Sequence, residues 1–66
     1  MRSQLKEILD NKGIKYGFVA KKAGITNATM TNLIKGGIPT LPVAYRIAKV
    51  LELHVEDIWS EENPAD

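Results

Sequence analysis

The 66-residue chain has no cysteine, one histidine and two serines. Without cysteine there is no disulfide framework and no thiolate zinc site, which fits a reducing cytosol. His54 has no second His or Cys at ligand spacing, so it reads as a helix cap or surface residue, and no metal or other cofactor is expected. So small a supply of nucleophiles and bases excludes most covalent catalysis, and the expectation is a protein that is not an enzyme. Aromatics make up 6% of the residues. No apolar run approaches the ~18 residues of a membrane span, and no signal-type apolar stretch follows Arg2 and Lys6. A cytoplasmic location away from membranes is expected. A chain this short buries only about 60% of its unfolded surface, so its core is marginal and self-association would help it.

Basic residues are absent from the C-terminal end. Residues 1–49 hold nine basic groups against two acids, Glu7 and Asp10, a net of +7. Residues 50–66 hold six acids and no base, a net of −6. The overall +1 therefore conceals a basic body with an acidic end. The field of such a body attracts phosphate, while the bland alternative is an unevenly charged solvated surface.

No segment alternates with period two for long enough to predict a strand, and the spacing is helical throughout. Leu5, Ile8 and Leu9 share one face of a first helix, with Ser3 as its expected cap and Gly13 as its stop. A second helix runs from Tyr16 to Ala23, carries Val19, Ala20 and Ala23, and ends at Gly24. Thr26 caps a third, with Met30, Leu33 and Ile34 on its buried stripe, stopped by Gly36-Gly37. Thr40 caps a fourth, where Pro42 fits only the first turn and Leu41, Ala44, Ile47, Ala48 and Leu51 form the stripe. His54 begins a short fifth, with Glu56 and Asp57 at its positive end and Val55, Ile58 and Trp59 as its apolar set. The expectation is an all-α, compact five-helix bundle, one domain over residues 1–60, followed by a frayed acidic tail over 61–66.

Tyr16 to Lys35 is the informative stretch. Two short helices meet at Gly24-Ile25-Thr26, a three-residue turn in which Gly24 tolerates a left-handed backbone. Ala20 is small where the helices cross, and Val19, Ala23, Ile25, Met30 and Leu33 lock them together. These residues, with Gly36, Pro39-Thr40, Ile47-Ala48-Lys49, Leu51 and Glu56-Asp57-Ile58-Trp59, resemble the helix-turn-helix of the Cro/C1 (Xre-type) repressor family over about residues 4–59. The resemblance implies a lambda-repressor-like DNA-binding domain. It further implies a regulator, repressing by occupying promoter DNA, that inserts the helix from about Asn27 to Lys35 into the major groove of a palindromic operator. Expected base contacts are Asn27, Ala28, Thr31 and Asn32: Asn pairs with adenine, and Thr or Ala meets a thymine methyl. Because no Arg lies on this face, A/T-leaning contacts are expected. Expected phosphate contacts are Lys15, Tyr16, Thr26, Thr29, Lys35 and the backbone amides of Gly36–Thr40. Simple polar exposure of a surface helix is the competing reading for the Asn/Thr cluster. Asn27-Ala28-Thr29 also matches a glycosylation sequon, which without a secretion signal is chance.

The chain departs from the family pattern at three places. Tyr16 stands where the family usually has a phosphate-anchoring Gln; its hydroxyl can also donate to phosphate, or the ring simply lies on the surface near Phe18. Leu9 and Ile34 stand where the family often pairs a buried Arg with a Glu, so an apolar contact is expected to replace the ion pair. Gly17 and Phe18 replace polar helix formers, with Phe18 facing outward as a partner contact or a partly covered surface aromatic.

A homodimer on double-stranded DNA is the expected assembly, with Ile38, Leu53, Val55, Ile58 and Trp59 as the possible interface, although Ile58 and Trp59 can equally close the core. No small-molecule ligand is indicated. The rival reading is a protein-binding module of the same fold, an antitoxin or anti-regulator, supported by Phe18 and the acidic end. Against it, the seven residues after Trp59 offer little chain to wrap a partner. The paired acids Glu56-Asp57 and Glu61-Glu62 belong to a helix start and the tail, with no pocket to raise a carboxyl pKa.

Overall fold

A computed structural model describes residues 2–61. Glu62 to Asp66, most of the expected tail, lie outside the described residues. The chain forms α1 (Leu5–Lys12), α2 (Tyr16–Ala23), α3 (Asn27–Ile34), α4 (Leu41–Leu51) and α5 (Val55–Ile58). The five expected helices are thus present. Two short strands frame them: β1 (Arg2–Ser3) pairs antiparallel with β2 (Trp59–Ser60), in the register Arg2 to Ser60 and Ser3 to Trp59. The Gln4 amide adds a 2.7 Å bond to the Ile58 carbonyl. Sequence periodicity predicts no strand here, because two residues cannot display alternation and the pairing joins opposite ends of the chain.

The helix stops follow from backbone chemistry. Gly13 and Gly24 cap α1 and α2 in the left-handed region, at φ 69° and 72°. Thr26 accepts the Thr29 amide at 3.1 Å and so starts α3. Ser3 is one residue too early to be the cap of α1: Gln4 holds that position, and the Ser3 hydroxyl accepts from the Leu5 amide at 3.3 Å. Thr40 holds the cap position of α4 without a side-chain bond. At α5 the Asp57 carboxylate accepts the His54 amide at 3.0 Å. The α4 helix ends at Glu52, a non-glycine residue at φ 57°.

The core is wholly apolar among the described residues. Leu5 and Leu9 of α1, Val19, Ala20 and Ala23 of α2, and Met30 and Leu33 of α3 are buried with Ala44, Ile47, Ala48 and Leu51 of α4. Ile58 and Trp59 close it. The α2 helix packs on α4 and α3, α1 on α3, and α5 on α4. Ile8, Ile34 and Val55 are half-buried against this cluster. Leu41 departs from its expected place in the stripe. It is 64% exposed, because it opens α4 beyond the packed layer, and helical spacing carries no information on where neighbouring helices stop.

Candidate nucleic-acid interface

The α3 helix sorts its residues by face. Met30 and Leu33 are buried, Thr29 and Ile34 are half-buried, and Asn27, Ala28, Thr31 and Asn32 are all exposed. All four expected base-reading side chains therefore share the solvent side of one helix. That helix is held against α2 by the turn Gly24-Ile25-Thr26, where the Ile25 amide bonds the Ala20 carbonyl at 2.9 Å. Short amide and hydroxyl groups, projected from a helix pinned on its other face, suit the donor and acceptor edges of bases.

Around α3 lie the groups expected to meet phosphate. Lys15, the N-cap residue of α2, and Lys35, the C-cap residue of α3, are exposed. The Thr26 and Thr29 hydroxyls are hydrogen-bonded to each other, with their Oγ1 atoms 2.9 Å apart. In the following loop the Gly36 amide is bonded to the Leu33 carbonyl and the Gly37 amide to the Asn32 carbonyl, at 3.1 and 2.8 Å. The Ile38 and Thr40 amides make no hydrogen bond among the described residues, and Pro39 has no amide proton. Gly37 is required by this closure, since a Cβ there would stand 2.8 Å from the Asn32 carbonyl oxygen.

Tyr16 is where the structure adds most to the sequence reading. The side chain is half-buried, and its hydroxyl donates to Asp10 Oδ1 at 2.7 Å. Lys6 Nζ donates to the other carboxylate oxygen at 3.1 Å. The Tyr16 hydroxyl and the Lys6 ammonium hold the Asp10 carboxyl below the usual carboxylate range, while the bond to Asp10 pushes the Tyr16 hydroxyl and Lys6 ammonium up. Asp10 and Lys6 carried a visible i,i+4 signal in the sequence. Their meeting with Tyr16 did not, because it depends on the turn through left-handed Gly13 that brings the start of α2 to the end of α1.

The remaining candidates divide. Phe18 points outward and is 53% exposed, with the Lys22 ammonium 5.7 Å from its ring centroid. Ile58 and Trp59, expected at a possible dimer contact, are core side chains, 1% and 4% exposed, and close the bundle instead. Ile58 ends α5, which packs on α4, and Trp59 follows it into β2, which pairs with β1. Ile38 is exposed, and Leu53 and Val55 are half-buried. Leu53 and Val55 line a groove of about 490 Å³ with Leu41 and Tyr45, and Ile38 lines the adjoining one with Leu41 and Val55. Ile38, Leu41 and Tyr45 are 72%, 64% and 62% exposed, so an apolar face is present there, and Trp59 lines both grooves with the small part of its surface that is accessible. The acids Glu56 and Asp57 ride on α5, which packs on α4, whereas α3 packs on α1 and α2. Among the described residues no helix is long and apolar enough to cross a membrane.

Comparison with known proteins agrees with this geometry. A family model of the Cro/C1-type HTH DNA-binding domain matches residues 4–62. The chain is similar to two uncharacterised HTH-type transcriptional regulators of Archaeoglobus fulgidus, each 35% identical over 60 residues. These matches cover 89% of this chain and 86% and 84% of the relatives. It is also similar to antitoxin HigA-1 of Vibrio cholerae, 33% identical over 66 residues, covering 86% of this chain and 63% of that protein.

Proposed function

Because the chain belongs to the Cro/C1-type helix-turn-helix DNA-binding family, we propose that it is a sequence-specific transcriptional repressor that binds a short palindromic operator as a homodimer. One observation carries this reading: Asn27, Ala28, Thr31 and Asn32 are exposed together on a helix whose opposite face is locked into the core. With α3 in the major groove, Asn27 and Asn32 pair with adenine N6 and N7, and Ala28 and Thr31 contact thymine methyls. Lys15, Lys35, the Thr29 hydroxyl and the Ile38 and Thr40 amides anchor the phosphates on either side. A single module of this size binds weakly, and a second copy joined through the Ile38, Leu41 and Tyr45 face supplies a second half-site about 34 Å away. Repression follows from occupancy of the promoter.

Selection from a random duplex pool tests this. The expected result is an A/T-containing palindrome whose half-sites are one helical turn apart, bound with log affinity that falls steeply with log salt. Enrichment of no sequence, or binding indifferent to salt between about 50 and 200 mM, refutes it. A second reading, a protein-binding role, is favoured by exposed Phe18 and by the likeness to an antitoxin. Recovery of a stoichiometric protein partner together with no pool enrichment selects that reading instead.

A further inference from the structure

We propose that Asp10 is a negative determinant of DNA affinity: it holds the Tyr16 hydroxyl in the free protein and places a carboxylate where backbone phosphate has to pass. This rests on the DNA-binding reading above and names a residue that tunes that same surface.

Tyr16 opens α2 directly after exposed Lys15. A phenol has one proton to donate, and this one is directed at Asp10 Oδ1, 2.7 Å away. Lys6 occupies the second carboxylate oxygen at 3.1 Å. One acid thus engages two donors that would otherwise face a polyanion. A phosphate oxygen that reaches Tyr16 must displace Asp10, which exchanges one anionic acceptor for another and leaves little net gain. If Asp10 stays, its charge confronts the phosphate at contact range, where Coulomb repulsion is largest. The Asp10 and Lys6 side chains are 48% and 59% exposed, so the pair can open without disturbing the core. Glu7, the other acid of the basic body, forms no ion pair among the described residues.

Anisotropy titrations of the full chain test the inference, using the pool-selected operator and a scrambled duplex. Tyr16→Phe is expected to change wild-type affinity by less than about twofold, because its hydroxyl is already engaged. Asp10→Ala is expected to tighten both duplexes by roughly three- to tenfold and to steepen the salt slope by about one phosphate. In the Asp10→Ala background, Tyr16→Phe should then give back about threefold or more, a coupling that loss of charge alone does not produce. Lys6→Ala in that background separates the freed lysine from the freed hydroxyl, and Asp10→Asn keeps the side-chain shape should Asp10→Ala fold poorly. Equal losses from Tyr16→Phe in both backgrounds, or no tightening by either Asp10 variant, overturn the proposal. Failure of the wild-type chain to bind any duplex at low salt overturns the DNA-binding reading, and this proposal with it, in the first titration alone.

Discussion

Gly37→Ala isolates the link between the end of α3 and the loop that follows it. A Cβ at residue 37 stands 2.8 Å from the Asn32 carbonyl oxygen and 3.2 Å from its carbon. Both are backbone atoms, and the Gly37 amide is bonded to that same oxygen at 2.8 Å. Neither side can retreat by a rotamer change, so the contact and the hydrogen bond cannot both survive. Steric displacement of packed atoms costs about 1–3 kcal/mol, and loss of the bond adds about 0.5–1.5 kcal/mol. Lower chain entropy in the unfolded state offsets about 0.4–1 kcal/mol. The net destabilisation is therefore roughly 1–3 kcal/mol, in a domain whose whole stability is only about 3–10 kcal/mol at the usual value per residue. Each kcal/mol lowers the Tm of a domain this size by about 4–8 °C. Gly17→Ala is the matched control: nothing lies within 4 Å of its Cβ, and alanine in the first turn of α2 should stabilise by up to about 1 kcal/mol. Thermal melts by circular dichroism read both. A Gly37→Ala melt equal to wild type, or a Gly17→Ala melt that falls as far, refutes the steric reasoning.

Three further outcomes follow from the same geometry. Asn27→Ala or Asn32→Ala should relax preference at one operator base by about 1–3 kcal/mol, whereas Lys35→Ala should weaken all sequences alike and lower the salt slope by about one; competition titrations against single-base operator variants separate the two patterns. Leu9 is fully buried and Ile34 half-buried, on two helices that pack together, so a double-mutant cycle of Leu9→Ala and Ile34→Ala should show coupling of about 0.5–3 kcal/mol, and coupling near zero refutes a direct contact. Asp10 has its carboxyl pKa lowered by Tyr16 and Lys6, so its stabilisation is present above the ordinary carboxylate range and disappears as pH falls through the lowered native value. The Tm difference between wild type and Asp10→Asn should accordingly shrink as pH falls through and below the ordinary carboxylate range, and a constant difference contradicts the bond.

The helices and the face of α3 were legible because their determinants are local. Glycine at 13 and 24 ends a helix through its own backbone freedom, and Thr26 starts one by reaching an amide three residues away. The i, i+3, i+4 recurrence of Met30, Leu33 and Ile34 likewise divides the buried side from Asn27, Ala28, Thr31 and Asn32. Features set by segments distant in sequence left no such local signal. Leu41 has the right spacing for the core and lies outside it. The α4 helix ends at Glu52 in a left-handed conformation with no glycine to announce it. Tyr16 carried two open readings until its hydroxyl was found on Asp10.

By itself, then, the sequence determined the helical elements, the glycine stops of α1 and α2, the Thr26 cap of α3 and the exposed polar row of α3, since each depends on residues within about one turn of one another. Only the tertiary structure decided which apolar residues enter the core and which acid meets Tyr16 at the start of α2. It also decided that Trp59 closes the bundle through its pairing with Ser3. Each of these outcomes depends on contacts between segments distant in sequence, and neither periodicity nor composition encodes distances between such segments.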